Sequence, residues 1–154
     1  MSHIRTFNLQ SGMKEVETCA QWRVDAFAGV IGASFDDELA SLERFIADQR
    51  DQAALVATRD GNAAGTCLLV PSEIEPLHDV TPWLAGLYVA PEHRRHGIGQ
   101  LLVRAIESEA RDRGHIKLHL YTTSAVRFYE RLGWTVQDHV HWLGYPTSLM
   151  VREL

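Results

Sequence analysis

The chain has 154 residues, 45% of them apolar and 23% charged, with 15 Lys and Arg against 20 Asp and Glu for a formal net charge of −5. That mix suits one globular domain spanning residues 1–154, with a core that needs no disulfide or metal, and it excludes wholesale disorder and a fibrous rod. The negative balance argues against a nucleic-acid partner held by counterion release, and no apolar run approaches the roughly 18 residues of a membrane span.

In chain order, Ile4 to Leu9 alternates apolar and polar residues as a strand does. A helical pattern follows from Met13 to about Ile31, interrupted near Gly29 and Gly32. A second helix is expected after Ser34, with Leu39, Leu42, Phe45 and Ile46 facing inward and Asp36, Asp37 and Glu38 in the first turn, where the helix dipole favours acids. Ala53 to Thr58 and Ala63 to Val70 read as two strands joined through Arg59-Asp60-Gly61-Asn62, a hairpin signal because these residues tolerate positive φ. An irregular acidic stretch holds Pro71, Pro76 and Pro82. Trp83 to Val89 is nearly all apolar and predicts a strand buried on both faces.

From Gly97 to Arg113 the apolar residues keep a helical period, with Glu107 and Arg111 four apart on the expected exposed side. Ile116 to Tyr121 alternates as a strand, Ser124 to Leu132 forms a short helix, and Trp134 to His141 with Tyr145 to Val151 closes the chain as two strands around Gly144. Helices interleaved with strands indicate an α/β (α+β) layer with a mixed sheet. Cys19 and Cys67 have no ligand-spaced neighbours and are expected to be reduced packing residues. Met1 to Phe7 lacks the pattern of a secretory leader, so the expected location is cytoplasmic.

The basic residues gather where the acidic average hides them, beginning with Arg94-Arg95-His96. They lie between the apolar strand and the helix, in Pro91-Glu92-His93-Arg94-Arg95-His96-Gly97-Ile98-Gly99-Gln100. A glycine-containing turn entering a helix presents backbone N–H groups that the helix leaves unpaired, and with the dipole these make an anion site. No Gly-Lys-Ser or Gly-Lys-Thr follows, which excludes a P-loop, and Leu102 stands where a dinucleotide fingerprint needs its third glycine.

The segment Leu87 to Gly99 resembles the acyl-CoA signature of the GNAT superfamily of N-acetyltransferases, Arg/Gln-x-x-Gly-x-Gly/Ala, through Arg94, Gly97 and Gly99. Ala125-Val126-Arg127-Phe128-Tyr129-Glu130-Arg131-Leu132-Gly133-Trp134 resembles a second landmark of that family, Ala-x-x-Phe-Tyr-x-x-x-Gly-Phe. The two motifs cover about 50 residues. The resemblance implies a mostly antiparallel twisted sheet of about seven strands with about four helices and splayed central strands. It implies acetyl-CoA as co-substrate, its pyrophosphate on the amides of Arg95, His96, Gly97, Ile98, Gly99 and Gln100. Its pantetheine would run along the backbone of Leu87, Tyr88 and Val89, beside Ala125 and Phe128. Thr122 stands where many members have Asn. Tyr129 falls where the family places the acid that protonates the CoA thiolate, and a homodimer through the last strands is also implied.

An alkylamine attacks a thioester only when neutral, and with a pKa of about 10.4 its deprotonation at pH 7 costs about 4.6 kcal/mol. The residues name no base. Asp79, Glu73 and Glu75 are the nearest acids to the apolar strand and are equally read as solvated loop charges. His119 and Tyr121 share a strand face and could anchor a water relay, and Trp83 opens the central strand and is a candidate substrate contact. Trp22, Trp83, Trp134 and Trp142 read as core or pocket walls. His139 with His141, and His115 with His119, have no third ligand at metal spacing, so no metal is expected. The leading expectation is acetyl transfer to a small-molecule amine by direct attack, with Asp36-Asp37-Glu38 and Glu73 to Asp79 attracting a cation. Acetylation of a protein or peptide amine, and a CoA-sensing module without turnover, stand as alternatives.

Overall fold

A two-residue turn matches the twist of its strands when both central residues take positive φ, and Asp60 and Gly61 do so at 52° and 84°. The turn folds β2 (Ala53–Arg59) onto β3 (Asn62–Val70), with Arg59 opposite Asn62. In the computed structural model, which describes residues 2–27, 34–73 and 77–154, these strands belong to a seven-stranded sheet. The others are β1 (Ile4–Asn8), β4 (Trp83–Val89), β5 (Lys117–Thr122), β6 (Thr135–Trp142) and β7 (Tyr145–Glu153), in the order β1-β2-β3-β4-β5-β7-β6. Every neighbouring pair is antiparallel except β4 with β5, so the sheet is mixed and mostly antiparallel, as the resemblance implied.

Side chains alternate along a strand, and β2 therefore serves two cores. Ala54 and Val56 pack against Val16, Cys19 and Trp22 of α1 (Glu15–Phe27) and Leu42 and Ile46 of α2 (Phe35–Ala47). Ala53, Leu55 and Ala57 pack on the opposite face against α3 (Ile98–Asp112), with Tyr129 of α4 (Val126–Arg131) in the same core. Ile98, Leu102 and Ile106 are wholly buried there, each worth about 1.5–3 kcal/mol relative to exposure. Ser34 Oγ accepts the N–H of Asp37 at 3.1 Å and caps α2, with Asp36, Asp37 and Glu38 in the first turn as expected. The interruption expected near Gly29 and Gly32 lies outside the described residues.

Two expectations are corrected. β4 is not buried along its length: Trp83 and Leu84 are buried, but Gly86 is exposed and Leu87 to Val89 are half-buried. The cause lies at both edges of the strand. Toward β5 the only registered pair is Trp83 with His119, after which the two strands part. Toward β3, Leu68 faces Ala85 and Thr66 faces Tyr88, so Gly86 and Leu87 oppose Cys67 alone in a bulge, with Gly86 at a φ of 61°.

Glu107 is likewise not on the solvent side with Arg111. It is 2% exposed and accepts hydrogen bonds from Arg104 Nη1 at 2.9 Å and Trp134 Nε1 at 3.1 Å. The loop into β6 brings Trp134 over this flank of α3, and a carboxylate is tolerated in a core only with such partners. Among the described residues, no helix is long and apolar enough to cross a membrane, and no group of three His, Cys, Asp or Glu could hold a metal.

Candidate active site

Beyond β4 the chain makes a short 3-10 turn at Pro91–His93 and enters α3 through Gly97. Gly97 caps the helix at a φ of 77°, with nothing within 4 Å of where its Cβ would stand. The glycine is therefore required by backbone conformation, not by local crowding. At Gly99 the reverse holds: a Cβ would stand 3.4 Å from Phe128 Cζ and 3.7 Å from Val89 Cγ2, so its absence lets α3, β4 and α4 converge.

The first intrahelical bond runs from Leu101 N–H to Gly97 O, leaving the N–H groups of Ile98, Gly99 and Gln100 without helical partners. These are the groups from which the sequence reading built its anion site, and exposed Arg95 and His96 flank them. The Ile98 side chain is buried, so this residue offers only its backbone. Arg94 folds back, donating from Nε to Val89 O at 3.0 Å, and ties the loop to the end of β4.

Where β4 and β5 part, the backbone of Leu87, Tyr88 and Val89 borders the opening on one side. Ala125 and Phe128 pack with Leu87 and Val89 against the core beneath it. Thr122 Oγ1 accepts the N–H of Ala125 at 3.0 Å and so shapes the entry to α4. Tyr129 is 6% exposed, its ring set edge-on to Phe128 and Trp134. Burial, and secondarily the nearby Cys67, push its phenol above the ordinary value, so it keeps its proton at neutral pH. Cys67 itself is pushed up by burial and Cys19 to about 11, and neither offers a thiolate nucleophile.

On the opposite face a cavity of about 180 Å³ lies between α1, α2 and the bulged part of β4. Trp22 and Tyr88, with ring centroids 5.5 Å apart, form one wall, and Leu42 and Leu68 add apolar surface. Its polar groups include Arg23 and Glu73; Arg23 Nε lies 2.7 Å from Glu38 Oε2. Glu38 thus serves an ion pair as well as the start of α2, a role the acidic run did not reveal.

The expected acceptor-side residues fare differently. Trp83 is wholly buried and donates from Nε1 to Val80 O at 2.8 Å, which fits its reading as a core residue rather than as a substrate contact. His119 is 5% exposed, with Nδ1 3.2 Å from Pro82 O and its pKa lowered by burial. It lines a different cavity, with Thr81, Lys117 and Gln137. Asp79 is exposed, and Glu75 lies outside the described residues. Tyr121 is the one drawn into a network: its hydroxyl accepts Leu77 N–H at 3.1 Å and lies 2.7 Å from His78 Nδ1, while His78 Nε2 lies 2.8 Å from Asp138 Oδ2. His78 and Asp138 carried no sequence signal, because 60 residues separate them and only the sheet order brings them together.

A family model described as the acetyltransferase (GNAT) family matches residues 16–134. An amino-acid acetyltransferase of Shewanella oneidensis is 31% identical over 84 residues, covering 54% of this chain but only 18% of that relative's length. Ribosomal-protein-alanine N-acetyltransferase from Brucella melitensis superimposes with a TM-score of 0.79 at 18% identity, covering 97% of this chain and 99% of the other. The yncA protein of Salmonella typhimurium, solved with its cofactor acetyl-CoA, gives 0.78 at 18% identity over 98% and 94%. An aminoglycoside 6'-N-acetyltransferase complexed with coenzyme A gives 0.73 at 17% identity over 97% and 96%. The ordered loop and α4 motifs, the parted strands and the matched 16–134 span agree, and the chain belongs to the GNAT acetyltransferase family.

Proposed function

We propose that residues 1–154 form a single N-acetyltransferase domain that moves the acetyl group of acetyl-CoA to the amine of a small molecule by direct attack in a ternary complex. The observation that carries this reading is the opening between β4 and β5, which has unpaired α3 amides at one end and Tyr129 beneath it. Acetyl-CoA would set its pyrophosphate on the amides from Arg95 to Gln100 and run its pantetheine along Leu87 and Val89 as a partial strand. Structural neighbours that hold CoA and acetyl-CoA support the same assignment. The apolar cavity behind the bulge would take the body of the acceptor, and its modest size favours a small molecule over a folded protein.

In this reading the amine nitrogen attacks the thioester carbonyl, the C–N bond forms and the C–S bond breaks. The departing thiolate takes a hydrogen bond and then a proton from the Tyr129 hydroxyl, while the acylated nitrogen gives one proton to solvent, which restores Tyr129. The protein works in the cytoplasm, and the sheet edge at β6 offers a homodimer its pairing surface. Calorimetry with acetyl-CoA tests the first half, and absence of binding would overturn the proposal. Thiol release over a panel of polyamines, aromatic amines, amino acids, aminoglycosides and an N-terminal peptide tests the second. Turnover with small amines is expected. Turnover with the peptide alone would move the assignment to protein acetylation, and binding without turnover would leave a CoA sensor.

A further inference from the structure

The cavity behind the β4 bulge continues outward along β3. A second cavity, of about 380 Å³, adjoins it and shares Arg23, Leu68, Glu73 and Ala85 as walls. Strand geometry sets the direction in which the two run. Thr66, Leu68 and Val70 lie on one face of β3; Thr66, opposite Tyr88, belongs to the inner cavity and Val70, opposite Trp83, to the outer one. Four residues of strand separate these two positions, a span of about 13 Å.

The two ends differ in chemistry. Trp22, Leu42 and Tyr88 make the inner end apolar, next to the bulge. The outer end is bordered by Ser41 and Arg44, three residues apart and so on one face of α2, with Phe45 and Val70 beside them. The charged residues lining the groove, among those described, are Arg23, Arg44 and Glu73. Arg23 is held by Glu38 at 2.7 Å, and Glu73 lines both cavities. The Arg44 guanidinium has no hydrogen-bond or ion-pair partner among the described residues. A cation in the last turn of α2 suits the helix dipole, but the dipole gives no reason for that cation to stand in a cavity wall beside a serine hydroxyl and apolar side chains.

Resting on the functional reading above, we infer that the two cavities form one acceptor groove and that the acceptor is an amine whose apolar body ends in a carboxylate. The amine and the body occupy the inner cavity. The carboxylate reaches the outer one, where the Arg44 guanidinium and the Ser41 hydroxyl donate to it. One guanidinium matches the single charge and planar fork of a carboxylate. Arg44 is thus a specificity-determining residue and takes no part in the transfer itself.

The test compares acceptors that share a primary amine on a six-carbon chain and differ at the far end: 6-aminohexanoate, hexylamine and 1,6-diaminohexane. With the full chain and saturating acetyl-CoA, kcat/KM is expected to be about tenfold higher for 6-aminohexanoate than for hexylamine, through KM, and lowest for the diamine. Arg44→Ala should bring the ratio of the first two to about one, and Arg44→Glu should reverse the order in favour of the diamine. Arg44 is exposed, so these variants are expected to fold. The short 3-aminopropanoate, which cannot span the groove, should be no better than hexylamine. Equal rates with the three six-carbon acceptors, a preference of the wild type for the diamine, or a ratio that Arg44→Ala leaves unchanged would overturn the assignment. Should all three fail as substrates, calorimetry of 6-aminohexanoate on the CoA-bound protein decides: binding that Arg44→Ala weakens supports the groove, and no binding, or binding insensitive to that change, overturns it. A wild-type chain that binds no acetyl-CoA would instead overturn the functional reading, and the groove's occupant with it.

Discussion

The two faces of the sheet around β4 are built on different principles. On the α3 and α4 face the candidate cofactor site is made of backbone: unpaired N–H groups at the start of α3, a positive-φ cap at Gly97 and a close approach at Gly99. On the α1 and α2 face the candidate acceptor site is made of side chains drawn from distant parts of the chain: Trp22 and Arg23 of α1, Leu42 of α2, Leu68 of β3, Glu73 and Tyr88. A backbone site needs a short local motif, because chain geometry sets its spacing. A side-chain site depends on register and packing, and its residues can change without altering the fold. One scaffold can in this way keep one cofactor and accept many amines.

Substitutions that affect one face and spare the other test this division. The largest effect is expected in Glu107→Ala, which strips Arg104 and Trp134 of their buried acceptor and should cost about 3–5 kcal/mol of stability. Denaturant melts with and without acetyl-CoA would measure it; a loss under 1 kcal/mol would mean that the carboxylate is not what holds this flank of α3. Next, Tyr129→Phe should lower kcat about 100-fold while leaving acetyl-CoA affinity unchanged, because only the proton donor is removed. An unchanged rate across pH would reduce Tyr129 to a packing residue.

Gly97→Val should weaken acetyl-CoA binding by about tenfold, since a left-handed conformation costs a non-glycine residue about 1–2 kcal/mol. Its acceptor KM should not move, and a shift in both constants would break the proposed independence of the faces. Ala26→Trp, placed in the acceptor cavity, should do the opposite and raise the acceptor KM a few-fold with normal cofactor calorimetry. Smallest of all, native protein at pH 8 should resist iodoacetamide. Cys19, with its pKa raised to about 11, is then almost entirely thiol, and the thiolate grows only as pH rises toward that value. Rapid labelling before denaturation would show that the α1 core opens easily.

Much of the architecture was readable from local chemistry. The Asp60-Gly61 turn, the Ser34 cap and the glycine start of α3 all appear where short-range rules put them. The misreadings share a different cause. Trp83 to Val89 looked buried throughout because composition reports how apolar a strand is, not whether its neighbour stays beside it. Glu107 looked exposed because helical period ignores what Trp134 and Arg152 bring to that flank. Trp83 allowed two readings, core and substrate contact, and it packs in a core with Val70 and Leu149.

The sequence by itself determined the candidate cofactor loop, since Gly97 acts through its positive φ, Gly99 through its missing Cβ and Arg94 through one side-chain bond to the end of β4, all within six residues. Its −5 charge set the expectation against a nucleic-acid partner held by counterion release. Only the tertiary structure decided the acceptor side and the Tyr121 network. The parting of β4 from β5 depends on a register shift opposite Cys67, and the meeting of Tyr121, His78 and Asp138 depends on β7 lying between β5 and β6. Such contacts are set by the packing of the whole sheet, which no local pattern of residues encodes.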